Sequence, residues 1–145
     1  MKPVRGKSVI VNVSAINSRG EGVARYGEER FVLFAAGALP GERVQGRVSL
    51  LKKNYGVLEL ENILEPIPER RVPRCPWFGL CGGCSLQHAD YDFQCLLKKR
   101  SVQDALMKEL GPEYSLMVED CIKSPREWNY RNKAVFPVRK AGKNA

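Results

Sequence analysis

The chain has one histidine, His88, two tryptophans, and no apolar run long enough to span a bilayer. No Ser/His/Asp set and no carboxylate pair at catalytic spacing is present, so no catalytic residue is assigned. Gly20 and Gly22 follow a strand-like segment but lead into another strand, which excludes the glycine loop that cradles a phosphate. Export signals are missing as well. Val9-Ile10-Val11 is apolar, but Asn12 and Ser14 interrupt it and no small-residue cleavage site follows. There is no long block of like charge, no internal repeat and no low-complexity segment, which excludes a basic disordered tail. These absences set the expectation of a cytoplasmic chain with no membrane partner.

What is present is a 145-residue chain, enough for one domain or two small ones, with 43% hydrophobic residues and hence the means to bury a core. Lys and Arg outnumber Asp and Glu by 24 to 16, a formal charge of +8. That excess favours a polyanionic partner, most often nucleic acid. Five cysteines in a reducing compartment point to metal binding or catalysis rather than disulfides.

Apolar residues alternate along the first half. Val9, Val11, Val13 and Ala15 share one face of a strand. Asn17–Gly22 turns the chain into Val23–Tyr26, Gly27-Glu28-Glu29 forms a tight hairpin, and Arg30–Phe34 is a third strand. Val44, Gly46, Val48 and Leu50 mark a fourth; Lys52-Lys53-Asn54 turns into a fifth over Tyr55–Ile63. Five short antiparallel strands of this size predict an all-β, closed OB-like barrel, with an SH3-like barrel or open meander as the alternatives. Pro66, Pro68 and Pro73 make Glu65–Arg74 a linker. Asp90 caps a helix to about Leu110, with Phe93, Leu97, Val102, Leu106 and Leu110 as its apolar stripe and Gly111-Pro112 as its stop. One more strand is expected over 129–139, with Ala134, Phe136 and Val138 on one face.

Between linker and helix stands Cys75-x5-Cys81-Gly82-Gly83-Cys84. Two cysteines two residues apart can present both sulfurs to one centre. The intervening glycines allow a tight loop whose N–H groups can point at sulfur. Cys75 is near enough for the loop to wrap back, so three thiolates converge on zinc or an iron–sulfur cluster. Zinc ribbons usually show two such knuckles; only one is here, and the five-residue gap wraps a larger object more naturally. Cys95 reads as a small buried hydrophobe of the helix. Cys121 follows Glu119 and Asp120, which disfavour a thiolate, and stands as the weaker candidate for a fourth ligand. His88, the lone histidine, could ligate, cap or simply hydrogen-bond, and clusters prefer thiolate. On the barrel, Arg19, Arg25, Arg30, Lys52 and Lys53, with Tyr26 and Tyr55 to stack on bases, form the candidate RNA-binding set. The other reading of these residues is ordinary solvated charge.

The run Pro73-Arg74-Cys75-Pro76-Trp77-Phe78-Gly79-Leu80-Cys81-Gly82-Gly83-Cys84-Ser85-Leu86-Gln87-His88 resembles the cluster motif of the RNA uracil-C5 methyltransferases, which methylate uridine in ribosomal or transfer RNA with S-adenosylmethionine. The barrel resembles their TRAM domain, including Lys52-Lys53-Asn54-Tyr55-Gly56 and the proline-rich exit. The helix after Asp90 and Trp128–Lys133 resemble the start of their central domain, so the resemblance covers essentially the whole chain. It implies three parts: a TRAM-like barrel over 1–68, a linker and cysteine loop over 69–90, and a helix with the start of a central domain over 91–145. The fold it implies is a barrel followed by an α+β iron–sulfur segment. It implies that Cys75, Cys81 and Cys84 hold a 4Fe–4S cluster whose fourth cysteine lies downstream of Cys121. The family's methyl-donor site, nucleophile and base lie in a C-terminal Rossmann-like domain that nothing here matches. The chain is therefore expected to be an N-terminal part, with no S-adenosylmethionine binding or uridine methylation of its own. Its expected partner is rRNA or tRNA, single-stranded or looped, bound by a monomer, with no DNA. A non-enzymatic RNA-binding module with a structural metal is the alternative. Methylthiotransferases also join TRAM to a cluster, but carry C-x3-C-x2-C and place TRAM last.

Overall fold

The computed structural model describes residues 2–133 and residue 135. Five strands, β1 (Ser8–Ile16), β2 (Glu21–Tyr26), β3 (Phe31–Ala36), β4 (Arg43–Leu51) and β5 (Tyr55–Glu65), close into a barrel in the order β1-β2-β3-β5-β4. Each strand sends alternate side chains inward, as the period of two requires. Ala24, Leu33, Ala35, Val44 and Val48 are fully buried in the interior, with Val11, Val13, Phe31 and Leu58 beside them. This is the strand order of an OB-like barrel.

The strands are not all antiparallel, as the sequence reading expected. β3 and β5 run parallel, Phe34 opposite Val57, while every other pair is antiparallel. Parity is the reason: direction cannot alternate all the way round a closed ring of five. Arg30 also leaves the strand assigned to it. It ends the turn after β2 at φ +52°, its N–H donating to the Gly27 carbonyl.

Among the described residues two helices follow, α1 (Tyr91–Glu109) and the single turn α2 (Pro112–Ser115). Asp90 caps α1 as expected: its carboxylate accepts the Phe93 N–H at 2.8 Å and pairs with Arg71 at 3.1 Å. The apolar stripe is buried only at its start. Phe93 and Leu97 pack with Leu39 of the β3–β4 loop, Ala89 and Ile16 in a second core. Val102 and Leu110 are 50% and 58% exposed, because Leu39 and its neighbours reach only the first turns of the helix. The segment expected as a linker is tied down. The Glu42 carboxylate is fully buried, receives both Nε and Nη2 of Arg70, and also accepts the Leu39 N–H at 2.8 Å. Arg70 Nη2 reaches the Gly37 carbonyl at 2.7 Å, and the Arg70 backbone bridges Ala89. Of the strand expected over 129–139, residues 129–133 form none, and Ala134, Phe136 and Val138 lie outside the described residues. No helix among the described residues is long and apolar enough to cross a membrane.

Candidate nucleic-acid interface and cysteine loop

The cysteine loop hangs from the Arg70–Ala89 bridge. The Arg71 N–H donates to the His88 carbonyl at 2.8 Å, and the Phe78 ring rests 5.2 Å from the imidazole. Gly82 adopts φ +70°, which lets the chain reverse between Cys81 and Cys84. N–H groups point at two sulfurs: Gly83 N–H at Cys81 Sγ, 3.4 Å, and Gln87 Nε2 at Cys84 Sγ, 3.1 Å. Gln87 also accepts the Cys75 N–H at 3.3 Å, so one side chain links the outer two cysteines. The sequence placed Gln87 in the motif but gave it no role. Cys75 is half-buried; Cys81 and Cys84 are exposed.

No three His, Cys, Asp or Glu side chains among the described residues are gathered to grip a single metal ion. Three thiolate donors suit zinc and an iron–sulfur cluster alike. A cluster spreads its ligands around several iron and sulfide atoms, and the N–H groups aimed at sulfur suit concentrated negative charge. Cys95 is buried in α1, as expected, and burial raises its thiol pKa above the ordinary value, with neighbouring Cys121 adding to the shift. Cys121 thus lies beside Cys95, and it lines, with Cys84, Lys98, Arg126, Trp128 and Tyr130, a cleft of about 1020 Å³. His88 is 2% exposed, and neither ring nitrogen has a hydrogen-bond partner among the described residues. Burial first, then the Arg70 guanidinium, lowers its pKa to about 4, with Glu42 opposing in part, so the ring is neutral near pH 7.

The barrel residues fall into two groups. Parallel pairing of Val32 with Tyr55 brings the β2–β3 and β4–β5 turns to the same end. Arg25, Arg30, Lys52, Lys53 and Tyr55 gather there, exposed, with Glu28 and Glu29 in the same turn as Arg30. The N-terminal segment joins them: Lys2 Nζ lies 5.6 Å from the Phe31 ring centroid, and Arg5 donates to the Ser49 carbonyl. Arg19 stands apart, in the β1–β2 turn at the opposite end. Beside it Gly20 (φ +82°) lies so close to the cysteine loop that a Cβ would come within 2.6 Å of Ser85 Cβ. Tyr26 turns inward and packs against the barrel core. The outward aromatic beside Tyr55 is Phe34, which the sequence reading left out. Alternation from buried Phe31, Leu33 and Ala35 was the signal that could have found it.

No protein-family model matches the chain. It is 40% identical over 135 residues to an uncharacterized RNA methyltransferase of Gloeobacter violaceus, covering 93% of this chain and 29% of that protein. It is 37% identical over 134 residues to one of Synechocystis, covering 92% and 28%. It is 32% identical over 128 residues to a 23S rRNA (uracil(1939)-C(5))-methyltransferase of Shewanella amazonensis, covering 88% and 28%. The chain thus spans under a third of the length of these relatives.

Proposed function

We propose that this chain, a homologue of RNA methyltransferases over about nine-tenths of its length, is the RNA-recognition and cluster-bearing part of an RNA uracil-C5 methyltransferase. The observation that carries the reading is a closed OB-order barrel with a cationic end, tied by a buried ion pair to a three-cysteine loop. Such barrels bind single strands through cations that track the backbone and aromatics that stack on bases. In this reading the barrel over 1–68 holds RNA by Arg25, Arg30, Lys52, Lys53 and Tyr55 at one end and Arg19 at the other. The loop within 69–90 holds a 4Fe–4S cluster by Cys75, Cys81 and Cys84. Residues from 91 onward begin a central domain. When bound, the cluster would be structural and RNA-orienting. Gln87 and the Gly83 N–H orient sulfur, and the Gly20–Ser85 contact transmits the loop's position to the barrel. In the longer protein the reaction would be addition of a nucleophile to the uracil ring, transfer of the methyl group from S-adenosylmethionine to carbon 5 with S-adenosylhomocysteine leaving, then loss of the carbon-5 proton to a base with expulsion of the nucleophile. The target base must leave its stack to reach that site. Residues 1–145 alone carry out none of these steps.

One preparation tests both halves. Protein purified without oxygen is expected to be brown, to contain iron and sulfide, and to bleach in air. It is expected to bind single-stranded RNA weakly, with affinity falling as salt rises. Reversing Lys52 and Lys53 to Glu should weaken binding across sequences and flatten the salt dependence. Stoichiometric zinc in a colourless protein would remove the cluster. Affinity that survives the charge reversal would remove the RNA surface.

A further inference from the structure

We propose that Phe34 and Tyr55 form a base-stacking platform on the outer face of β2, β3 and β5, and that this face selects unpaired RNA over duplex. The proposal deepens the RNA reading of the barrel and rests on it.

Inward positions on β3 are Phe31, Leu33 and Ala35, all buried; Phe34 therefore points outward and is half-buried. Tyr55 opens β5, is 38% exposed, and sits with its ring centroid 5.6 Å from that of Phe34 at an interplanar angle of 60°. Val23 on β2 and Val57 on β5 lie directly across from Phe34. An aromatic pair thus stands in a small apolar field on a face that is otherwise free to be polar. The pair lies outside the inward set that fills the barrel.

The charge around the field identifies the occupant. Arg25 is exposed on the same outward row of β2, its neighbour on β3 being Val32. Lys52 and Lys53 precede Tyr55 in the turn, and Arg19 lies at the far end of β2 and β3. Tyr55 at the cationic end, Phe34 in the middle of β3 and Arg19 beyond the far end match a polyanion whose flat groups are accessible. β3 is six residues long, on the order of 20 Å, room for the few nucleotides that the smallest OB sites hold. In a duplex the base faces are hidden in the stack and the A-form major groove is too deep and narrow for side chains to enter. Only an unpaired loop or strand can place a base on these rings.

The test uses the whole chain and two probes, a short uridine-rich single strand carrying 2-aminopurine and a blunt duplex of equal length. The single strand is expected to bind at least about ten-fold tighter than the duplex, with 2-aminopurine fluorescence quenched on binding. Phe34→Val and Tyr55→Val remove a ring yet keep a strand-compatible residue. Each is expected to weaken single-strand binding about ten-fold, to abolish the quench, and to leave the salt slope unchanged, because no phosphate contact is lost. Tyr55→Phe should behave like the parent. Melting curves check that each variant folds; Tyr55 is exposed at a strand start, so its variants remain informative if Phe34→Val does not fold. Equal affinity for duplex, or variants that bind and quench like the parent, would overturn the platform. If Phe34→Val left RNA affinity intact but altered self-association, the face would be a protein contact and the proposal would fall. If the parent bound no RNA at low salt, the RNA reading would fall with it. If Lys52→Glu/Lys53→Glu weakened binding while the ring variants did not, the platform alone would fall.

Discussion

Replacing Arg70 with Met tests whether the segment after the barrel is held to it by the buried ion pair. Met keeps much of the stem and removes the guanidinium. Glu42 is then a fully buried carboxylate whose remaining donor is the Leu39 N–H. The Gly37 carbonyl loses the N–H that reached it at 2.7 Å. An uncompensated buried charge costs about 3–5 kcal/mol, and an orphaned acceptor about 1–3 kcal/mol more. The Arg70 side chain is 21% exposed, so water relieves part of both, and a loss of about 4 kcal/mol is expected. For a chain of 145 residues that lowers the melting midpoint by roughly 10–16 °C. Adding Glu42→Gln removes the charge but keeps an acceptor for Leu39, so the double variant should recover about half of the loss. Thermal melts of parent, single and double variants, followed by circular dichroism, give all three values. A single-variant midpoint within about 3 °C of the parent, or a double variant less stable than the single one, would refute the reasoning.

His88 predicts sensitivity to acid. Its folded-state pKa of about 4 lies below the ordinary 6.5, so the unfolded chain takes up the proton first. Its penalty is absent above about pH 6.5 and grows as pH falls towards 4, reaching on the order of 3 kcal/mol. Urea midpoints at pH 7 and 4.5 for parent and His88→Leu measure it; an equal acid loss in both would count against the assignment. Asp90→Ala removes the cap bond to Phe93 and the pair with Arg71, and should cost about 1–2 kcal/mol. Hydrogen exchange in the first turn of α1 should quicken, and an unchanged rate at Phe93 would contradict it.

Much of this was legible because burial on one face of a strand leaves a period of two. Val9–Ala15 and Tyr55–Ile63 gave their strands directly, and Asp90 announced the helix start. The parallel β3–β5 pair was legible too, had the parity of a closed five-membered ring been followed through. What could not be read were contacts between distant residues that share no pattern. Nothing near Glu42 signals a partner at Arg70, and the prolines around Arg70 marked a linker without showing where it is held. Val102 and Leu110 carried the helical period but not the fact that the Leu39 cluster extends only under the first turns of α1. On the barrel, residue type named Tyr26 as a stacking candidate, and its inward position on β2 was legible in the same alternation that turns Phe34 outward. The spacing of Cys75, Cys81 and Cys84 placed them on one loop, where the structure has them. Gln87, which ties Cys75 to Cys84, needed coordinates.

The strand order carries a consequence for how the protein is made. β1 pairs with β4, and β3 with β5, so the ring closes only through partners far apart in the chain. A nascent chain leaving the ribosome holds β1, β2 and β3 first, as a meander with both edges unpaired. The edge of β3 stays open until β5 has been synthesised, and Glu42 waits longer, for Arg70. Such non-local closure is slow relative to local helix formation. The barrel can close only once β5, its last strand, has emerged. Until then, the open edge of β3 is where a chaperone would find its substrate.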